Sequence, residues 1–161
     1  MYDVLDVSRY VINYSNTKNY GISNLKLQKI LYFIQAYFLT YQDEAIPCFP
    51  DDIEAWDFGP VVPRAYHEFK QYGGGNIPFI RSYFTDSPNI WNVERVPFYD
   101  TLINEKDKDK INSVVDMFRN TSATDLVTLT HNQAPWKNAY IPGMNNTISL
   151  ESIRSYFNDD E

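Results

Sequence analysis

The chain has 161 residues, 43% of them apolar and 16% aromatic, with 13 Tyr and 10 Phe. That is core material for one domain and too much apolar content for a disordered chain. Against 14 basic residues stand 21 acidic ones, a net charge of -7; such a chain repels phosphate backbones, which argues against direct nucleic-acid binding.

The opening MYDVLDVSRY carries Asp3 and Asp6 and no basic region, so it is not a secretory signal. Residues 4–14 predict a helix. Val4, Leu5, Val7, Val11, Ile12 and Tyr14 cover a wide apolar arc, and Asp6, Arg9 and Asn13 fall together on the opposite side. Asn16, Asn19 and Gly21 mark the connection that follows. Ser23 is a good N-cap for a second helix over 24–42, NLKLQKILYFIQAYFLTYQ. That segment is apolar on nearly every side, which predicts a buried central helix. Its apolar runs, split by Gln35, fall short of the ~20 residues needed to cross a bilayer. Lys26 and Lys29 sit where the helix dipole does not favour cations; solvated side chains are expected there, with an acidic partner as the alternative.

Pro47 and Pro50 break the chain. Cys48 is the one cysteine, so an internal disulfide or a cysteine-based zinc cage has too few ligands. A buried, inert thiol and a reducing cytoplasm are the expectation. IEAWDF, 53–58, predicts a short strand, with Gly59-Pro60 as the turn after it. From Val62 to Tyr72 a helix is expected. Val62, Ala65, Tyr66, Phe69 and Tyr72 share one face, and Arg64, His67, Glu68 and Gln71 the other, with Arg64 and Glu68 spaced to pair. Pro63 suits its first turn and the run Gly73, Gly74, Gly75 ends it.

Residues 76–104 predict extended segments and turns packed on the core. They include a loop at Asp86-Ser87 and a second short strand at WNVERV, 91–96. EKDKDK, 105–110, alternates in sign and predicts a solvated first turn of a helix over 107–119, with Ile111, Val114, Val115 and Phe118 inward. Ser122 caps the next helix, and His131 at its end is placed to bond the last carbonyls. Pro135 opens a helical turn, Ser149 starts a last helix, and NDDE is an acidic tail expected to fray. The sum is a mainly α (α+β) fold: one compact multi-helix domain over 1–161, around a buried central helix with a small β element.

Asp57, Arg64, His67 and Glu68 sit close together around a Gly-Pro step, as a catalytic cluster would. They also fit the solvated face of a helix. The chain has two histidines, far apart in sequence, and no HExxH, CxxC, GxGxxG, GxxxxGK[ST] or GxSxG. No catalytic residue, metal or cofactor is therefore assigned. A hydrolase using Asp57, His67 or Cys48 is the enzyme alternative. Trp56, Gly59, Pro60 and Trp136 have no catalytic chemistry of their own; buried they set how elements meet, exposed they anchor partners.

Several phrases together resemble one family. NLKLQKILYFIQAYFL (24–39), EAWDFGPVVPRAYHEFK (54–70), LTHNQAPWKNAY (129–140) and ISLESIRSYF (148–157) resemble, in order and spacing, the Panacea domain of SocA-like or GepA-like phage-associated proteins. The resemblance implies a mostly helical domain that acts as an antitoxin, neutralising a cognate toxin by direct contact. In some members it delivers the toxin to a protease. A phage or prophage protein that binds another host factor is the alternative within the same resemblance. Some relatives append a DNA-binding module, and none is expected in these 161 residues. The family brings no catalytic residues. The expected contact region is the surface around the Gly-Pro step: Trp56, Gly59 and Pro60, with Arg64, His67 and Lys70 on the helix after it.

Overall fold

The structure, a computed structural model, describes residues 1–42, 46–85 and 87–159. Asp86 of the expected loop and Asp160 and Glu161 of the expected tail lie outside the described residues. Helix α1 runs Val4–Thr17, three residues past its apolar pattern at the C-terminal end, and the Asp3 side chain caps its start, accepting the Leu5 amide at 2.8 Å. Helix α2 runs Asn24–Thr40, and Ser23 caps it as expected. Leu27, Ile30, Leu31, Tyr32 and Ile34 are all at most 1% exposed, so α2 is the central buried helix. Around it pack α1, α3 (Pro63–Phe69), α4 (Glu105–Met117), α5 (Ala123–His131) and α7 (Leu150–Asp159). The short α6, Ala134–Ala139, links α5 to α7.

Strands β1 (Ile53–Trp56), β2 (Gly59–Val61) and β5 (Thr147–Ile148) form an antiparallel sheet in the order β2-β1-β5. Trp56 stands opposite Gly59, so the turn is Asp57-Phe58, and Gly59-Pro60 belongs to the second strand. The expected turn is corrected by two residues. Pro60 is tolerated there because β2 is an edge strand. Strand β5 has two residues, too few for a period to show in sequence.

The segment from 76 to 104 forms a second sheet, β3 (Ser82–Phe84) against β4 (Arg95–Pro97). The expected strand over 91–96 starts late, because Ile90–Asn92 is a 3-10 turn capped by Asn89. Trp91, expected against the core, is 88% exposed. Tyr83 instead lies on α1, where the Arg9 guanidinium sits 3.5 Å above its ring and pairs with Asp6 at 3.0 Å. Asn13 holds both backbone groups of Ile80, at 2.9 and 2.7 Å. The polar side of α1 is thus an interface, not a solvent face.

Two more polar clusters carry tertiary contacts. Tyr2 donates to Asp107, Tyr10 to Asn112, and Tyr14 and Tyr20 both to Asp116, so phenols tie α1 and its flanks to α4. Burial and the bond to Asp107 push the Tyr2 phenol up to about 12. The expected solvated turn EKDKDK is corrected: Lys108 and Lys110 are 8% and 7% exposed. Lys108 pairs with Glu105 and Asp100, and Lys110 pairs with Asp107 and lies over the Tyr41 ring at 4.0 Å. The alkyl stems are buried while the ammonium heads keep acidic partners.

Gln35 divides the apolar runs of α2 in sequence and proves to be a fastening. Its Oε1 accepts the Cys48 amide at 2.7 Å and its Nε2 donates to the Phe49 carbonyl at 2.8 Å. This holds the proline-bracketed segment before β1 against the core.

Candidate partner-binding groove

The hairpin β1–β2 is bolted to the core from behind. Lys29, expected in water, is fully buried and donates from Nζ to the Pro60 carbonyl at 2.9 Å. Its apolar helix was the clue: on a helix buried on all sides, the second turn has no solvent face. Gly59 has φ 99, and an added Cβ would lie 2.7 Å from Lys29 Cε and 2.8 Å from Thr130 Oγ1. Burial pushes the Lys29 ammonium down to about 7.

This shift predicts a pH dependence. The unfolded amine titrates near 10.5 and the folded one near 7, so the unfolded state holds the extra proton between them. Stability is therefore full above the unfolded value and falls as pH drops towards 7, by at most ~1.4 kcal/mol per pH unit. The buried tyrosines, whose folded values are raised, act oppositely above about pH 10. Urea unfolding at pH 7 and pH 9 should show wild type gaining about 2 kcal/mol more than Lys29→Met over this interval. An equal gain in both proteins would assign the slope to another group.

In front of the bolt, the Asp57-Phe58 turn is held by rings. His131, Trp136 and Tyr140 stack, with centroids 4.0 and 4.4 Å apart. His131 Nε2 donates to the Asp57 carbonyl and Trp136 Nε1 to the Trp56 carbonyl, both at 2.9 Å. The Tyr140 hydroxyl donates to the Asp57 carboxylate, and that bond pushes the Tyr140 phenol up. His131 therefore fastens the hairpin turn, where helix-end capping was expected. The tip so held presents Phe58, which is 67% exposed.

Beside the tip lies a groove of about 430 Å³, within the roughly 300–1,000 Å³ of ligand clefts. Trp56, Asp57, Phe58, Val61, Tyr66 and Lys70 line it, with Asn24, Leu25 and Gln28 from the start of α2. Trp56 and Tyr66 meet edge to face at 5.0 Å, and Trp56 Nε1 donates to Glu54 at 2.9 Å. Lys70 and His67 stand outside the aromatic pair, the Lys70 Nζ 3.4 Å from His67 Nδ1.

Of the six residues expected at a contact surface, Trp56 and Lys70 line the groove and His67 packs beside it on Tyr66. Gly59 and Pro60 are buried and form the hairpin's seat. Arg64 is exposed and holds both oxygens of Asp3 at 3.0 and 3.1 Å, so it secures the start of α1. Sequence reasoning passed over Phe58 and Tyr140. Phe58 was legible only as the second residue of a two-residue loop, once Gly59 is read as strand.

Cys48 is fully buried, and burial pushes its thiol up, away from the thiolate a nucleophile needs. Among the described residues no group of three or more His, Cys, Asp and Glu is placed to hold a metal. No helix is long and apolar enough to cross a membrane among those residues.

Residues 27–137 match the model of the family described as "Antitoxin SocA-like, Panacea domain". The protein Antitoxin SocA of Caulobacter vibrioides (strain NA1000 / CB15N) is 38% identical over 71 residues, which are 44% of this chain and 37% of that protein. No solved structure matches. The family match takes in most of the central helix, the bolted hairpin, α3 and the Trp136 that braces the turn, and on that span the chain belongs to the SocA-like antitoxin family of Panacea domains.

Proposed function

We propose that this domain is an antitoxin that neutralises a cognate toxin by direct protein contact, and that the groove beside Trp56 with the Phe58 tip is its contact surface. The observation that carries this reading is the family match over 27–137, which contains the hairpin tip and most of the groove lining. Geometry supports the choice of surface. An aromatic side chain on a turn held by three hydrogen bonds can enter a partner with little loss of freedom. The net charge of -7 favours encounter with toxins that are basic because they act on nucleic acids. Delivery of the toxin to a protease is a further role that the family allows.

The test is co-expression with the toxic product of the adjacent gene. Wild type restores growth. Phe58→Asp, at an exposed site that leaves the core untouched, loses at least ~2 kcal/mol of toxin binding, about 30-fold in affinity. Growth rescue equal to wild type by Phe58→Asp would move the interface elsewhere. Toxin binding unchanged between low and high salt would remove charge steering from the account.

A further inference from the structure

The groove has a chemistry of its own. Its walls are the rings of Trp56 and Tyr66, with Phe58 at the mouth. In the chain, carboxylates stand on both sides of the Trp56 indole. Glu54 accepts its N–H at 2.9 Å, and Asp57, the next residue in the chain, lines the groove. An indole whose N–H is held by an anion keeps its electron density on the ring face, where a cation is attracted. Asp57 accepts from the Tyr140 phenol at Oδ1, so the partner in that bond is a hydroxyl and not a cation.

We propose that this groove takes a basic side chain of the partner protein, an arginine above all, with its guanidinium against the Trp56–Tyr66 pair and paired with the Asp57 carboxylate. The identity of the partner rests on the antitoxin reading above; the chemistry of the groove does not. Arginine suits the site better than lysine. A planar guanidinium stacks on rings and still presents N–H donors to a carboxylate at its edge. The domain's charge of -7 draws such a side chain in. Among the described residues that line the groove, Lys70 is the one cation that opposes it. Its ammonium is 3.4 Å from His67 Nδ1. This makes the charge of Lys70 a discriminating feature: removing it helps a basic ligand and hurts an acidic one.

The experiment titrates the full chain with a tripeptide, Gly-Arg-Gly blocked at both ends, and follows the indole N–H signal of Trp56 by NMR. The controls are the same peptide with citrulline, which keeps the shape and loses the charge, and with glutamate. The arginine peptide should shift the Trp56 signal saturably, in the millimolar range suited to one side chain. The citrulline and glutamate peptides should bind at least about tenfold more weakly. Asp57→Asn keeps the Tyr140 bond and the fold, and should weaken arginine binding about tenfold; Lys70→Gln should strengthen it. No shift with the arginine peptide, an equal shift with citrulline, or tighter binding of the glutamate peptide would overturn the proposal. The titration needs no toxin, so a negative result here leaves the growth-rescue test standing, and a failed rescue leaves the titration standing.

Discussion

Gly59→Ala is expected to lower the unfolding free energy by about 3–5 kcal/mol, a large share of the roughly 5–15 kcal/mol that holds a folded domain together. Two costs combine. At φ 99 an alanine occupies backbone space that L-residues rarely enter. Its methyl would also stand 2.7 Å from Lys29 Cε and 2.8 Å from Thr130 Oγ1, and both neighbours are fully buried with nowhere to go. Gly143→Ala separates the two. Its φ is 76, yet nothing lies within 4 Å of the added carbon, so it should cost only the backbone term, about 1 kcal/mol. Chemical unfolding of both variants checks this. Equal losses would mean that the close approach of the hairpin to α2 contributes nothing.

Gln35→Leu should cost a similar amount, about 3–5 kcal/mol, although leucine fits an apolar helix better by pattern. The substitution leaves the Cys48 and Phe49 amides and the Phe49 carbonyl without their partner in the interior. Each orphaned group costs about 1–3 kcal/mol. Gln35→Glu should recover part of the loss, because a carboxylate still accepts the amides while it cannot donate to the carbonyl. A leucine variant as stable as wild type would show that water reaches residues 48 and 49.

These two cases show where pattern reading stops. Gln35 and Lys29 stand in one of the most apolar stretches of the chain, and period analysis has only two places for a polar residue, outside or misfit. Both are inside, because each meets backbone groups of the irregular segment and hairpin that follow α2. The partners lie 13 to 31 residues away in sequence, and nothing local marks them. Arg9, Lys108 and Lys110 failed the same way: their helix faces are polar, but other elements cover them. The groove was half legible. Trp56 and Lys70 were picked from the segment around the Gly-Pro step and do line it, while Phe58 and Tyr140 entered only when the turn moved to Asp57-Phe58 and the ring stack formed behind it.

What the 161 residues determined on their own is the set of helices, the Ser23 and Ser122 caps, the central place of α2 and the family, because these depend on short-range periodicity, single capping residues and motifs in a fixed order. What only the tertiary structure decided is which polar side chains are interior and which aromatic ones face outward. That choice follows from the surfaces other elements bring to each face, and a residue's own neighbours in sequence do not contain it.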